Sequence, residues 1–281
     1  MNYQWYPGHM TKAVRQMQED IKLVDLVIEL LDARIPISSR NPDIDKLANN
    51  KSRIVLLNKS DLSDSSANRY WTSYFEDQGI VCLLVNSRNK GTLKELDAKV
   101  QIACKEKIER DKKRGIINRP VRAMVVGIPN VGKSTFINTF SGKAAAKTGN
   151  KPGVTKGKQW IRLSKTLELL DTPGILWPKF ENQKIGLDLA LVGTINDNIL
   201  DESDMAMELI DILIKEYPNA LNDRYGIEDT SKKNYEILSD IAVKRNYLLK
   251  GEEPDSVKMA HILLDEFRSG TLGRISLERH I

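Results

Sequence analysis

The stretch Gly127–Thr135 most constrains what this chain can fold into, because it reads GIPNVGKST between an apolar run and a helical pattern. It fits G-x-x-x-x-G-K-[ST], in which backbone N–H groups surround a phosphate and the following helix adds its positive end. The stretch therefore predicts a phosphate-binding loop between a strand and a helix. The residues expected to contact a nucleotide here are Asn130, Val131, Gly132, Lys133, Ser134 and Thr135.

The apolar runs around this loop indicate a parallel sheet. Each is a nearly continuous hydrophobic segment of strand length, as expected when both faces of a sheet are buried. The runs cover residues 25–32, 53–58, 80–86 and 121–127, with helical patterns at 65–79 and 93–115 and a two-stranded hairpin at 158–171. The predicted fold is α/β, a doubly wound, mostly parallel sheet with one antiparallel edge strand.

Helical periodicity dominates after about residue 178. It marks the segments 182–195, 201–217, 230–245 and 255–270, with Asp255 and either Ser203 or Asp201 as N-cap residues. The apolar stripes of these segments predict a helical core. We therefore expect two domains, a sheet domain with the nucleotide site at 1–178 and a separate all-helical domain at 179–281.

Asn58-Lys59-Ser60-Asp61 has the form of a guanine-reading loop. The Asp61 carboxylate would accept hydrogen bonds from guanine N1–H and the 2-amino group, whereas adenine would leave it unpaired. An unpaired buried polar group is how such a site rejects the wrong base. We expect Asn58 to reach N7 and brace neighbouring loops, and the Lys59 stem to cover the ring face. A second stretch, Asn86-Ser87-Arg88, would supply a backbone N–H to guanine O6.

Two further segments complete the set expected for phosphate chemistry. Asp171-Thr-Pro-Gly174 follows the hairpin, where Asp171 would bind Mg²⁺ through water and Gly174 would bring its N–H close to the γ-phosphate. Thr155 would complete the Mg²⁺ shell only when the γ-phosphate is present. Ser134 would offer its hydroxyl to the same ion, and Lys133 would bridge the β- and γ-phosphates.

Along this chain the two base-reading stretches come first, followed by the phosphate loop, the Thr155 segment (switch I) and the Asp171–Gly174 segment (switch II). In most GTPases the phosphate loop and the two switches come first and the two base-reading stretches last. Rotating one order yields the other, so the sequence predicts a circularly permuted P-loop GTPase domain. A fold whose ends lie close together at the surface tolerates such a change. The new ends fall directly after switch II, so the helical domain is joined to the switch segment.

On these motifs the chain resembles the circularly permuted GTPases of the YlqF type along its whole length. The matching stretches are WYPGHMTKA, LDARIPISSRNP, NKSDL, GIPNVGKST, PGVT and LDTPGILWPK, followed by the helical tail. The resemblance implies a GTPase that acts late in assembly of the large (50S) ribosomal subunit, binds 23S ribosomal RNA and large-subunit proteins, and is stimulated by the ribosomal particle. It also implies that the C-terminal helices are similar to an RNA-binding antiterminator module.

Hydrolysis needs a group that positions water, and the residue after Gly174 is Ile175, which cannot form hydrogen bonds. His9 is one candidate, because the permutation places the N-terminal segment next to switch II. The resemblance adds to this, since a histidine in the same motif is the proposed catalytic residue of the family. Asn130 is a candidate for holding K⁺ between the β- and γ-phosphates. Arg34 would contact RNA or brace the switch, and the sequence does not decide between these roles.

The charge distribution favours a polyanionic partner. The net charge is +5, but residues 105–122 hold eight Lys/Arg against three acids, and residues 141–165 hold seven and no acid. Two such runs around one site favour RNA. There is no run of about 18 apolar residues and no secretion signal, and the two cysteines fit a reducing compartment. We expect a cytoplasmic monomer.

Two other functions stay open on the sequence alone. The guanine-reading loop argues against a P-loop kinase or ATPase. The complete set of Lys133, Ser134, Thr155 and Asp171 argues against an RNA-binding scaffold protein with a vestigial nucleotide site.

Overall fold

The computed structural model describes residues 17–142, 160–170, 183–195 and 201–280. It divides the chain into two compact units, one comprising Met1–Glu181 with Glu278–Ile281 and the other comprising Asn182–Leu277. The chain therefore leaves the first unit at residue 181 and returns to it for its last four residues.

The first unit is built on a six-stranded sheet. Its strands are β1 Leu26–Asp32, β2 Ser52–Asn58, β3 Val81–Leu84, β4 Val121–Val126, β5 Trp160–Arg162 and β6 Leu167–Leu170. They lie in the order β3-β2-β1-β4-β6-β5, and every neighbouring pair is parallel except β5 with β6. The predicted mostly parallel sheet with one antiparallel edge strand is confirmed.

Burial explains why the central apolar runs form strands. All seven residues of β1 are buried, as are the last five of β2. Because neither face of β1 meets water, its sequence is nearly continuous in Val, Ile and Leu instead of alternating with polar residues. The register pairs Asp32 with Asn58, so β1 and β2 end side by side.

The helices of this unit are α1 Ile44–Leu47, α2 Ser65–Asp77, α3 Leu96–Ala103, α4 Lys105–Lys113 and α5 Lys133–Ser141, with short 3-10 turns at Ile21–Leu23 and Lys90–Leu93. Asp64 begins α2 by accepting hydrogen bonds from the backbone N–H groups of Ser66 and Ala67. Trp71 and Phe75 of α2 belong to the buried cluster that covers the β1–β2 region of the sheet.

The prediction of one continuous helix over 93–115 is wrong, because the helix is interrupted at Cys104. This residue has φ −104° and ψ 16°, outside the α-helical region. It is buried, and it still donates to Val100 O and accepts from Ile108 N, so the hydrogen-bonded path continues through the break. No Gly or Pro marks the position, and the sequence therefore carries no local signal for the interruption.

The second unit is helical in its described residues. Its helices are α6 Gln183–Leu191, α7 Glu202–Glu216, α8 Ala220–Tyr225, α9 Asn234–Lys244 and α10 Ser256–Ser269. Asp201 is the N-cap residue of α7 and accepts from Ser203 N at 2.8 Å, while Asp255 caps α10 by accepting from Lys258 N at 3.0 Å. The six residues of α8 were not predicted, because a segment so short shows no helical period.

Among the helices that the structure describes, none is both long enough and apolar enough to cross a membrane.

Candidate nucleotide-binding site

The predicted site residues in the described chain gather at one edge of the sheet. Strands β1 to β4 are parallel, so the segments that follow their carboxyl ends share that edge. The stretches Asn58–Asp61, Asn86–Arg88 and Gly127–Thr135 follow β2, β3 and β4 in turn. The fold thus brings both guanine-reading stretches next to the phosphate loop.

Two glycines shape the phosphate loop. A Cβ atom on Gly127 would lie 2.6 Å from the Leu30 carbonyl oxygen, and one on Gly132 would lie 2.6 Å from Asn58 Nδ2. Gly132 also has φ +104°, which L side chains rarely adopt. The loop is therefore packed against β1 and against the guanine-reading loop, with no room for a side chain at either glycine.

The charges of the loop suit a phosphate group. Gly132 is the N-cap residue of α5 and supplies no side-chain hydrogen bond, while the first-turn N–H groups of a helix lack partners within the helix. The Lys133 ammonium donates to the carbonyls of Gly127 at 2.9 Å and Ile128 at 3.0 Å, which keeps it at the loop. Ser134 and Thr135 lie half-buried in the same first turn. A cation beside a helix N-terminus is the arrangement that binds anionic phosphate oxygens.

Asn58 joins the three loops of the site. Its Nδ2 donates to Val131 O at 2.6 Å, and its Oδ1 accepts from Ser87 N at 2.9 Å and from Ser87 Oγ at 2.8 Å. An amide NH₂ has two donor hydrogens, so one is left for guanine N7. Asn58 and Val131 stand 73 positions apart in the chain, so this contact is long-range in sequence.

The guanine-reading loop has two further charged side chains, Asp61, which is exposed, and Lys59, which is held in an ion pair. Asp61 is exposed and forms no hydrogen bond or ion pair with any other described residue, so its carboxylate is accessible to a base. Lys59 has φ +59°, an unfavourable backbone conformation for a residue with a Cβ atom. Its Nζ lies 2.9 Å from Asp32 Oδ2.

The second guanine-reading stretch is held mainly by internal hydrogen bonds. Asn86 Oδ1 accepts from Arg88 N at 2.9 Å, and Asn86 N donates to Thr92 Oγ1 at 3.0 Å. The stretch as a whole was predicted to supply a backbone N–H to guanine O6, and the Ser87 N–H already donates to Asn58 Oδ1. If Ser87 were that donor, a guanine oxygen would have to share it. Arg88 is exposed.

Asp32, at the end of β1, is a site residue that the sequence reasoning missed. Its buried carboxylate accepts from Arg34 Nε at 2.9 Å and Arg34 Nη2 at 2.8 Å, in addition to its ion pair with Lys59. Burial alone would raise the pKa of this carboxyl, but the charges of Arg34 and Lys59 outweigh burial and hold the pKa well below its ordinary value. An acidic residue that ends a buried strand was the available signal.

Arg34 itself is only 1% exposed, and its guanidinium forms a two-pronged contact with Asp32. A buried guanidinium cannot reach an RNA backbone in this conformation. In the described residues the guanidinium braces Asp32. The predicted bracing of the switch falls on residues outside the described ones and stays a prediction.

Four predicted site residues, His9, Thr155, Asp171 and Gly174, lie outside the described residues. Asn130, the candidate for holding K⁺, is exposed and has φ +59°. The described residues hold no group of three or more His, Cys, Asp or Glu side chains arranged for a metal ion. Of the predicted Mg²⁺ ligands, Ser134 is the one that the structure describes.

Comparisons with known proteins agree with this geometry. A family model described as 50S ribosome-binding GTPase matches residues 122–245. Ribosome biogenesis GTPase A of Bacillus cereus is 45% identical to this chain, and the match covers 99% of this chain and 94% of that protein. The chain belongs to the ribosome biogenesis GTPase A family. The member from Thermotoga maritima is 32% identical over 98% of this chain and 94% of its own length.

A solved structure extends the match to the whole fold. The crystal structure of GNP-bound YlqF from T. maritima has a TM-score of 0.64 and 29% identity, and the match covers 95% of this chain and 98% of that one. The predicted YlqF-type permuted GTPase fold is therefore confirmed. Membership of the ribosome biogenesis GTPase A family makes this protein a GTPase, with GTP and GDP as its nucleotides.

Proposed function

We propose that this protein is a GTP-hydrolysing switch in late assembly of the large (50S) ribosomal subunit, and that it binds ribosomal RNA and precursor particles in a GTP-dependent way. The observation that carries the proposal is the buried Asn58 amide, which bonds both Val131 of the phosphate loop and Ser87 of the second guanine-reading stretch. This side chain joins both halves of a guanine nucleotide site, which supports a working site over the alternative of an RNA-binding scaffold protein with a vestigial one.

The names of the relatives support the ribosomal part of the proposal. The matching family model is described as ribosome-binding, and the B. cereus relative is named for ribosome biogenesis. We propose that the partners of this protein are 23S ribosomal RNA and large-subunit proteins, and that it binds them in the cytoplasm.

The surface of the helical unit supports an RNA partner. Tyr235 is 53% exposed, and the Lys233 ammonium lies 5.8 Å from the centre of its ring. Lys258 lies 4.7 Å from the ring centre of Tyr247. Aromatic rings beside cations are the side chains on which proteins stack single-stranded bases and hold the backbone. We therefore assign RNA binding to this unit.

For the hydrolysis step we propose that His9 positions the attacking water. Gly174 would donate its N–H to the γ-phosphate, Thr155 and Asp171 would complete the Mg²⁺ shell with Ser134, and Asn130 would hold K⁺ to neutralise charge between the β- and γ-phosphates. Exposure of Asn130 at the phosphate loop is compatible with a bound cation. The ribosomal particle would stimulate this step, and the GTP form would dock tightly and leave after hydrolysis.

The test is GTP hydrolysis measured with and without purified large ribosomal subunits, in K⁺ buffer and in Na⁺ buffer. We expect subunits to stimulate the wild-type protein in K⁺, and His9→Ala to abolish the stimulation while GTP binding stays intact. His261→Ala is the matched control, because His261 is an exposed histidine that pairs with Glu202 in the helical unit.

Each result decides a different part of the proposal. Stimulation that survives in His9→Ala would remove the water-positioning role from His9 and keep the assembly role. Equal rates in K⁺ and Na⁺ would remove the K⁺ assignment. Absence of stimulation, together with equal subunit binding in GDP and in a non-hydrolysable GTP analogue at fixed salt, would refute the ribosomal switch.

A further inference from the structure

We propose that Asp32 is a positioning residue for guanine-nucleotide binding, because it anchors the Lys59 side chain at the guanine-reading loop. The inference rests on the proposed guanine-reading role of residues 58–61 and adds a residue that lies outside that motif.

The first observation is the geometry of the contact. Asp32 Oδ2 lies 2.9 Å from Lys59 Nζ, and the exposed fractions of the two side chains are 1% and 26%. The carboxylate is therefore buried while the lysine stem is partly open to solvent. A lysine whose ammonium is fixed at one end has few conformations left for its stem, which is the part expected to cover the base.

The second observation is that Asp32 is itself immobilised. Arg34 donates to its carboxylate from two side-chain nitrogens and from the backbone N–H. The backbone N–H of Asp32 in turn donates to Ser39 Oγ at 3.0 Å. The backbone of β1 and β2 is joined immediately beyond the strands, where Ala33 N donates to Asn58 O at 2.8 Å. The anchor for Lys59 thus sits at the end of a fully buried strand inside the sheet.

The third observation is that the Arg34 contact alone would satisfy Asp32. A buried carboxylate needs a positive charge and hydrogen-bond donors beside it, and an arginine that donates two side-chain hydrogen bonds supplies both. Lys59, which forms the additional pair, has φ +59°, an unfavourable backbone conformation for a residue with a Cβ atom. The pair goes beyond what the charge of Asp32 needs, and it holds the lysine ammonium in place.

The expected effect follows from side-chain entropy. Ordering a free lysine side chain during binding would weaken GDP affinity about tenfold compared with a lysine already ordered. Since preorganisation changes how long the nucleotide stays bound, we expect the loss mainly in the dissociation rate.

The test compares two substitutions of the lysine in the full-length protein. Lys59→Met keeps an unbranched apolar stem and removes the ammonium, whereas Lys59→Arg keeps a cation that Asp32 can bind. We expect GDP to dissociate about tenfold faster from Lys59→Met, and Lys59→Arg to stay within about threefold of wild type. Both leave the Asp32–Arg34 contact complete, so both should fold. Lys59→Arg should melt at the wild-type temperature, whereas Lys59→Met loses one charge partner of Asp32 and should melt slightly lower. GDP dissociation at the wild-type rate from Lys59→Met would overturn the proposal.

A double-mutant cycle tests Asp32 directly. If Asp32 acts through Lys59, the Asp32→Asn and Lys59→Met effects on GDP dissociation will not add, and the double variant will match the single ones. Additive effects would overturn the proposal. Asp45→Asn is the matched control, since Asp45 pairs with Arg40 and Arg53 away from the carboxyl ends of the strands, and it should leave GDP dissociation unchanged. Should Asp32→Asn fail to fold, the two Lys59 variants decide the question.

One further variant separates this inference from the proposed function. Asp61→Asn removes the carboxylate expected to read guanine. If Asp61→Asn binds GDP as tightly as wild type, the loop is not the base reader and the proposed function fails with it. If Asp61→Asn loses GDP while Lys59→Met does not, the Asp32 proposal alone is overturned.

Discussion

Two ion clusters are each built on a buried carboxylate of β1, Asp32 in one and Glu29 in the other, and they differ in the exposure of their partners and in what they touch. The strand-end cluster comprises Asp32, Arg34 and Lys59 and lies beside the guanine-reading loop. The mid-strand cluster comprises Glu29, Arg40, Asp45 and Arg53 and touches no loop of the candidate site.

In the mid-strand cluster Glu29 is buried, but its partners Arg40 and Arg53 are 14% and 15% exposed. Asp45 is 58% exposed, and solvent weakens its pairs with the same two arginines. In the strand-end cluster, Asp32 and Arg34 are each 1% exposed, so removal of one partner would leave a buried charge uncompensated. The mid-strand cluster joins β1 to β2 and to α1, whereas the strand-end cluster reaches the guanine-reading loop, where we propose that it positions Lys59.

The largest effect is expected where the strand-end region meets the phosphate loop, in Gly132→Ala. The added Cβ would lie 2.6 Å from Asn58 Nδ2 at φ +104°, so both strain and a clash oppose it. We expect a loss of about 3 kcal/mol in the free energy of unfolding and loss of GDP binding. Urea unfolding and nucleotide titration measure these.

Gly79→Ala is the matched control for Gly132→Ala. Gly79 has φ +73° with nothing within 4 Å of its added Cβ, so only backbone strain of about 1 kcal/mol is expected. If both variants lost the same free energy of unfolding, the clash between the added Cβ and Asn58 would be contradicted.

Asn58→Ala removes the link between the loops without adding volume. Val131 O and Ser87 N would lose their partner, which costs about 2 kcal/mol of unfolding free energy and roughly a hundredfold in GDP affinity. Calorimetric titration with GDP would measure the second quantity. Asn89→Ala serves as control, because the exposed Asn89 side chain bonds the N–H of Gly91 instead. A comparable loss in the control would show that the linking role is not specific to Asn58.

A smaller effect is expected at the loop that connects the two clusters. The Glu278 carboxylate accepts from Ile37 N at 2.6 Å and from Ser38 N at 2.9 Å, and its carbonyl accepts from Trp71 Nε1 at 2.9 Å. Glu278→Ala should lower the unfolding free energy by about 1 to 2 kcal/mol, with Glu278→Gln between it and wild type. Thermal unfolding measures both.

Glu76→Ala is the control for the Glu278 variants, since exposed Glu76 forms no side-chain hydrogen bond or ion pair with a described residue. If Glu278→Ala melts at the same temperature as this control, the C-terminal residues do not hold the loop.

The smallest effect is expected from acid. The pKa of Asp32 is held low by Arg34 and Lys59, so the stability that this carboxylate contributes is fully present above the unfolded-state value of about 3.9 and is lost as pH falls toward the folded-state value. At about pH 4 the loss from this group is only about 0.4 kcal/mol. Carbon NMR of the carboxyl groups should show Asp32 still ionised at about pH 3. Half-protonation of Asp32 near pH 4 would show that Arg34 and Lys59 do not lower its pKa.

Local patterns in the sequence were enough to predict the sheet, the phosphate loop and two helix starts. Continuous apolar runs indicated strands buried on both faces, and Asp255 at a helix start could be recognised because a cap bonds N–H groups only a few residues away. The spacing of Gly132 and Lys133 predicted the loop, since a backbone turn around a phosphate depends on neighbouring residues. Where packing overrode local pattern, as at buried Cys104, the prediction of a continuous helix was wrong.

The contacts that assemble the site were decided by tertiary structure alone. Asn58 with Val131 and Asp32 with Lys59 join residues on different strands or loops, and only the register of β1 with β2 and the strand order bring them within bonding distance. Glu278 reaches Ser38 from the far end of the chain. A sequence pattern records the period of each element, whereas these contacts depend on how elements are placed relative to one another. The sequence by itself thus determined which groups could read a guanine nucleotide, and the fold decided which side chains hold them in position.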